Sequence, residues 1–252
     1  MRHSIVNYEL ILGIDSSAVS ASCCLLRSDF SAGYAILAQS YVNAGLTHSR
    51  TLLPLAESVL KSSGKDLSDV NCIAVSAGPG SFTGIRIGIA TVKGLCFARE
   101  IPCFGVSALE AAAHGLDGFS GMALAVMDAR RDQVYTAAFR LEDGIPVRET
   151  PDRAISIEDL AAETALIKDK IWLCGDGAQL VFDRMQNMNL SYNLALAPHS
   201  VRVQSGYGAA LAARQKILNQ EKPVLAEELV PVYLRIPQAE RELASKTLDS
   251  RS

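Results

Sequence analysis

The sequence lacks an excess of either charge. Its 252 residues carry 24 Lys and Arg against 27 Asp and Glu, a net charge of −3. That balance argues against a stand-alone nucleic-acid binder, which carries a basic footprint; Arg130-Arg131 is the one tight basic pair. No uncharged apolar run approaches the roughly 18 residues that a membrane helix needs, so no membrane partner is expected. Arg2 and His3 precede only a short apolar run broken by Asn7 and Glu9, so no secretory signal is expected either. The six cysteines, at 23, 24, 72, 96, 103 and 174, show no C-x-x-C spacing and sit mostly inside apolar runs. They read as buried free thiols in a reducing cytosol. The four histidines, at 3, 48, 114 and 199, form neither an i, i+4 pair nor H-E-x-x-H, so no metal site and no protease follows. The Walker pattern G-x-x-x-x-G-K-[ST] is missing as well.

What the chain does have is 49% hydrophobic residues, ample for a core, and one unusual stretch at 76–98, SAGPGSFTGIRIGIATVKGLCFA. Gly78-Pro79-Gly80 breaks an apolar strand, and Ser81 or Thr83 can cap the helix that follows. Ile85, Ile89, Val92 and Cys96 form its apolar face. Gly84 and Gly88, with Gly94 further on, form a neighbouring face. Three helical glycines forfeit roughly 3 kcal/mol relative to alanine, so close approach of another backbone is expected in return. That backbone belongs either to the chain's own sheet or to a second protein. The turn before the helix is also a candidate anion site.

The remaining chain alternates strands and helices. Strands are expected at 10–14, 19–27 and 34–42, then a helix at 47–61 with Leu52, Leu55 and Val59 on one face and His48 at its start. Strands follow at 71–76 and 102–106, and a helix capped by Ser107 at 108–114. A second cycle begins with strands at 122–128 and 132–140, then a helix at 156–163, a strand at 170–174, a helix at 178–187 and an amphipathic helix at 201–218. Both cycles share one device: a strand, an aspartate (Asp15 or Asp128), a polar turn and a returning strand, which suggests internal duplication. Asp15-Ser16-Ser17 is either ordinary turn chemistry or a phosphate loop. Residues 1–8 read as a lead-in, 231–235 as an extended segment, and the polar stretch from 238 as disordered. The pattern is α/β, two lobes with mixed sheets: 1–106, 107–199, and 221–252 as segment and tail, with the helix 200–220 returning to the first lobe.

Several pieces resemble the TsaB (YeaZ) family, the bacterial partner subunit in threonylcarbamoyladenosine formation on tRNA. They are Ile11-Leu12-Gly13-Ile14-Asp15-Ser16-Ser17, His48-Ser49 with Leu52-Leu53-Pro54, the block from Gly78 to Gly88, Lys93-Gly94-Leu95, Val106-Ser107-Ala108-Leu109, Asp128-Ala129-Arg130 and Pro231-Val232-Tyr233-Leu234-Arg235. The resemblance implies the fold of acetate and sugar kinases and actin, with two ribonuclease-H-like lobes. The catalytic paralogue, TsaD, binds its metal through two histidines after the glycine helix; here both positions, Ala108 and Ala112, carry methyl groups. The resemblance therefore implies a non-catalytic subunit without a metal or cofactor, in the cytoplasm. It would pair with a TsaD-type paralogue, help dock a TsaE-type ATPase and meet tRNA only through the complex.

By this resemblance the partner face comprises His48, Leu52, Leu55, Val59, Gly84, Ile85, Gly88, Ile89 and Val92. The isolated chain would form a homodimer through it, and Gly88→Glu would abolish pairing while sparing the fold. A residual nucleotide or anion site would comprise Asp15, Ser16, Ser17, Asp128 and Arg130, able at most to bind nucleotide weakly. Its second hairpin lacks the glycine that lets backbone N–H groups approach phosphate. Gly175-Asp176-Gly177 is either an adenosine loop or a simple strand-to-helix turn. The rival reading is an ATP-dependent phosphotransferase or ATPase that uses Asp15 and Asp128 around magnesium.

Overall fold

A computed structural model describes residues 8–235, apart from 30, 32, 46, 98 and 189–192. The lead-in at 1–7, the tail after 238 and the last residue of the expected glycine helix lie outside the described residues. The apolar run at the start becomes β1 (Leu10–Asp15), buried on both faces. It begins an antiparallel meander with β2 (Ala21–Asp29) and β3 (Gly33–Val42). Two parallel strands follow, β4 (Cys72–Gly78) and β5 (Cys103–Ser107), giving the order β3-β2-β1-β4-β5. The helices α1 (His48–Ser62) and α2 (Phe82–Cys96) touch each other and cover one face of this sheet. Alternation decides what they meet. Leu10, Leu12 and Ile14 face α1 and α2, whereas Ile11 faces the other way.

Next comes α3 (Ala108–His114), capped by the Ser107 hydroxyl, which accepts from the Glu110 N–H at 3.2 Å, and then the strands of a second sheet. Its strands are β6 (Gly121–Asp128), β7 (Gln133–Glu142), β8 (Ile145–Arg148), β9 (Arg153–Ser156), β10 (Ile171–Cys174) and β11 (Leu194–Leu196). The sheet order is β11-β10-β6-β7-β8, with β9 beside β7. Its other helices are α4 (Ile157–Thr164) and α5 (Ala178–Gln186). The strands β8, β9 and β11 were not expected from the sequence. At three or four residues each they are too short to show a period.

The last helix, α6 (Gly206–Leu218), packs on β1, β2 and β4, opposite α1 and α2, and also on α3. Two expectations about it fail. It starts at Gly206 rather than 201, because Ser205 is extended and its hydroxyl accepts from the Gly208 N–H at 3.2 Å. It is not amphipathic either: Gly206, Gly208 and Ala209 to Ala213 are buried all round. Small residues are required there. A Cβ on Gly208 would lie 1.9 Å from the Ala111 carbonyl oxygen, and one on Gly206 would lie 2.6 Å from that of Gly13.

Candidate functional site

The glycines of α2 meet the chain's own first hairpin. A Cβ on Gly84 would sit 2.1 Å from the Ser16 carbonyl oxygen, and one on Gly88 would sit 2.6 Å from the Ser16 hydroxyl. Gly80, at φ +150°, leaves the same kind of room for the Ser17 carbonyl. The space is used by hydrogen bonds. The Ser16 hydroxyl donates to the Gly84 carbonyl at 2.9 Å, and the Ser81 N–H donates to the Ser17 carbonyl at 2.7 Å. The Ser81 hydroxyl caps α2 by accepting from the Gly84 N–H. Gly88→Glu would therefore drive a charged side chain into this packing, so the expectation that it spares the fold is corrected.

The same geometry corrects most of the expected partner face. Leu52, Leu55, Val59, Gly84, Ile85, Gly88, Ile89 and Val92 are buried within the chain, between the helices and their own sheet. His48 turns inward as well: its Nε2–H donates to the Ala18 carbonyl at 2.7 Å. The outward faces of α1 and α2 are other residues. They include Arg50, Leu53, Pro54 and Glu57 on α1, and Thr83, Ala90 and Gly94 on α2, beside the half-buried Ile87. Leu53 is 44% exposed. Gly94 has nothing within 4 Å of the position a Cβ would take. Its helix cost therefore has no return within this chain.

Asp15, at the end of β1, is fully buried. The Ser17 N–H and hydroxyl both donate to its carboxylate, at 3.1–3.2 Å. Burial pushes its pKa up, while the hydroxyls of Ser76 and Ser17, the Ser17 N–H and His48 pull it down. Ser16 and Ser17 are also sealed from solvent. The Ser17 N–H is already used by Asp15 and is not free to meet a phosphate. In the second hairpin the Arg130 N–H donates to Asp128 at 2.7 Å. Arg130, Arg131 and Asp132 take φ values of +64°, +57° and +55°, the conformation glycine adopts without strain. The Arg130 side chain is 85% exposed and pairs with Asp128 at 3.5 Å.

Asp176 joins this group. Although part of Asp176 is exposed, its carboxyl loses hydration between the neighbouring loops, and its pKa is pushed up to about 6 by that loss and by repulsion from Asp128 and Asp15, against a hydrogen bond from Gln204 at 3.3 Å. The structure thus draws Asp15, Asp128 and Asp176 together between the lobes and turns Arg130 outward. Asp176 and Gln204 were missed as a pair, because only their loops, not their surroundings, are visible in the sequence. The glycines flanking Asp176 serve packing: a Cβ on Gly175 would lie 2.0 Å from the Val126 carbonyl oxygen, and one on Gly177 would lie 2.9 Å from the Asp128 nitrogen. Ala108 and Ala112 are fully buried in α3. Among the described residues no group of three or more His, Cys, Asp or Glu is arranged to hold a metal ion. None of the described helices is long and apolar enough to cross a membrane.

Residues 42–242 match the family model described as TsaD: tRNA N6-adenosine threonylcarbamoyltransferase. A Bacillus subtilis (strain 168) protein named tRNA threonylcarbamoyladenosine biosynthesis protein TsaB is 30% identical over 234 residues, covering 91% of this chain and 96% of that one. The chain belongs to the TsaB (YeaZ) family. The Escherichia coli (strain K12) TsaB is 33% identical over 202 residues, covering 79% of this chain and 85% of its own. A crystal structure from Pseudomonas aeruginosa, described as an uncharacterised protein with similarity to the peptidase YEAZ, superimposes with a TM-score of 0.73. It is 27% identical and covers 90% of this chain and 100% of its own. With its two mixed sheets, this TsaB-family chain shares the α/β fold of that YeaZ-like structure.

Proposed function

We propose that the chain is a non-catalytic, activating subunit in the formation of threonylcarbamoyladenosine on tRNA in the cytoplasm. It pairs with a TsaD-type catalytic paralogue through the outward faces of α1 and α2, and helps dock a TsaE-type ATPase. In isolation the same face pairs with a second copy. It meets tRNA only within the complex. The lobes divide at 106, with α6 counted to the first.

The observation that carries this reading is the burial of Asp15, Ser16 and Ser17 at the first hairpin. In a phosphotransferase of this fold that hairpin must open toward a nucleotide. Here α2 lies on it, and Asp15 has no exposed surface. The family relationship supplies the pathway. The exposed Leu53 and the open space at Gly94 support pairing through the outer helix faces.

The test is reconstitution. Unmodified tRNA, threonine, bicarbonate, ATP and the other subunits are incubated with and without this chain, and the modified nucleoside is measured by mass spectrometry. Product is expected only with the chain. Equal product without it contradicts the proposal.

A further inference from the structure

Two cysteines touch at the foot of α2. Cys96, in its last turn, and Cys103, the first residue of β5, have sulfur atoms 3.8 Å apart. The Cys103 thiol also lies 3.3 Å from the Ile101 carbonyl. Cys103 is fully buried. Its backbone is fixed by paired hydrogen bonds with Val224, at 2.8 and 2.9 Å. Cys96 is placed differently. It lines a surface cleft of about 370 Å³ whose rim carries Lys93 and Arg99. Phe97 beside it is 92% exposed. Cys96 is itself buried, at 8% exposure, but it forms part of the cleft wall, so a small polar reagent entering the cleft meets Cys96 before the fully enclosed Cys103.

From this geometry we propose that Cys96 and Cys103 form a site of reversible oxidation, in which a peroxide entering the cleft converts the two thiols to a disulfide. The Cys96 thiolate attacks one oxygen of hydrogen peroxide. An S–O bond forms, the O–O bond breaks, and the released hydroxide takes a proton and leaves as water. The sulfur of Cys103, giving up its proton, then attacks Sγ of Cys96. The S–S bond forms, the S–O bond breaks and a second water leaves. The sulfurs together lose two electrons and the peroxide gains them.

The environment suits these roles. The hydrogen bond with Cys103 holds the Cys96 thiol below the ordinary thiol range against the effect of burial. The same bond, with burial, holds Cys103 above it. A sulfur that attacks first needs thiolate character and access, and the resolving sulfur needs only proximity. The other cysteines lack this combination. Cys23 also lines a cleft, but its sulfur faces the Leu52 carbonyl at 3.8 Å and burial raises its pKa. Cys24, Cys72 and Cys174 are buried, and each has its pKa raised by burial.

The experiment uses the reduced full chain. Peroxide is titrated in, free thiols are blocked, and tryptic peptides are mapped without reductant. Cleavage after Lys93 and Arg99 puts Cys96 and Cys103 on separate peptides, so the product is a cross-linked pair lacking two hydrogens. This pair is expected before any other oxidation, with reversal by dithiothreitol. On the untreated native chain, iodoacetamide should label Cys96 at least about tenfold faster than Cys103 or Cys72. In Cys103→Ser, a cyclic diketone should trap sulfenic acid at Cys96; in Cys96→Ser, Cys103 should stay a thiol. The proposal is overturned if another cysteine oxidises first, or if Cys96 is labelled no faster than Cys103. The labelling and cross-link maps need no substitution, so they decide even if a variant fails to fold.

Discussion

Glycines 84 and 94 look alike in the sequence, each on a helix and each next to a branched residue. The structure separates them. A methyl at Gly84 would strike the Ser16 carbonyl oxygen, whereas one at Gly94 would meet open space. Gly84→Ala is therefore expected to lose about 2 kcal/mol or more in urea denaturation of the isolated chain. Gly94→Ala should gain up to about 1 kcal/mol by helix propensity alone, measured where the chain is monomeric. Asp176 gives a residue-scale test in pH. Its folded pKa, about 6, lies above the ordinary 3.8, so the folded state prefers the protonated form. The corresponding stability is present below pH 4 and is lost as pH rises toward and through 6. Because Asp176 is exposed to solvent, screening discounts the shift, so Asp176→Asn should raise stability at pH 7.5 by no more than about 1 kcal/mol and change little at pH 4, read as paired urea midpoints. No local pattern announces this carboxylate. Its raised pKa comes from lost hydration at the carboxyl and from Asp128 and Asp15, which lie far away in the sequence.

At the scale of elements, periodicity located the long pieces well. The strands β1, β4, β6 and β7 and the helices α1 and α2 lie close to their expected positions, because the helices repeat an apolar face over several turns and the strands are short apolar runs bounded by turn residues. Periodicity also showed which face of α1 and α2 is apolar, but not what covers it. The apolar residues face the chain's own sheet, as the lower-energy burial demands, so the pairing proposed here falls to the opposite side of the two helices. On that side Ala90 is exposed. Ala90→Glu should leave the circular dichroism spectrum and thermal midpoint within error of the parent while abolishing self-association in sedimentation velocity. A variant that still dimerises places the interface elsewhere. The helix α6 illustrates the opposite error. Alanine and glycine carry almost no periodic signal, so a helix enclosed by a sheet on one side and α3 on the other read as a surface helix.

Across the whole molecule, the duplicated strand–aspartate–turn–strand device was visible in the sequence, and the two-sheet architecture follows from it. The closure of the first hairpin was not visible. It depends on α2, on three glycines (80, 84 and 88), and on contacts such as that of Ser16 with Gly84, 68 positions apart. The segment at 231–235 completes this arrangement. The Val232 N–H donates to the Ala77 carbonyl at 2.8 Å, and Tyr233 packs on Phe82 with ring centres 4.9 Å apart. The Arg86 guanidinium stacks on Phe82 and donates to the Tyr233 hydroxyl at 2.9 Å. Arg235 then reaches the second hairpin, donating to the Ala129 carbonyl at 2.9 Å. One short segment thus links the N-terminal end of α2 to the second sheet's hairpin, a role its extended character alone did not reveal.

The central claim is that this chain acts through its outer helix faces and not through its buried carboxylate. The most direct measurement compares two variants in the reconstituted tRNA modification reaction, each checked for folding. Asp15→Asn keeps the shape of the buried side chain but removes its charge; Ala90→Glu alters only the outward face. The account predicts that Asp15→Asn supports product formation within about twofold of the parent, while Ala90→Glu loses tenfold or more, about 1.4 kcal/mol of coupling. The reverse result, with activity lost on Asp15→Asn and kept on Ala90→Glu, would contradict it.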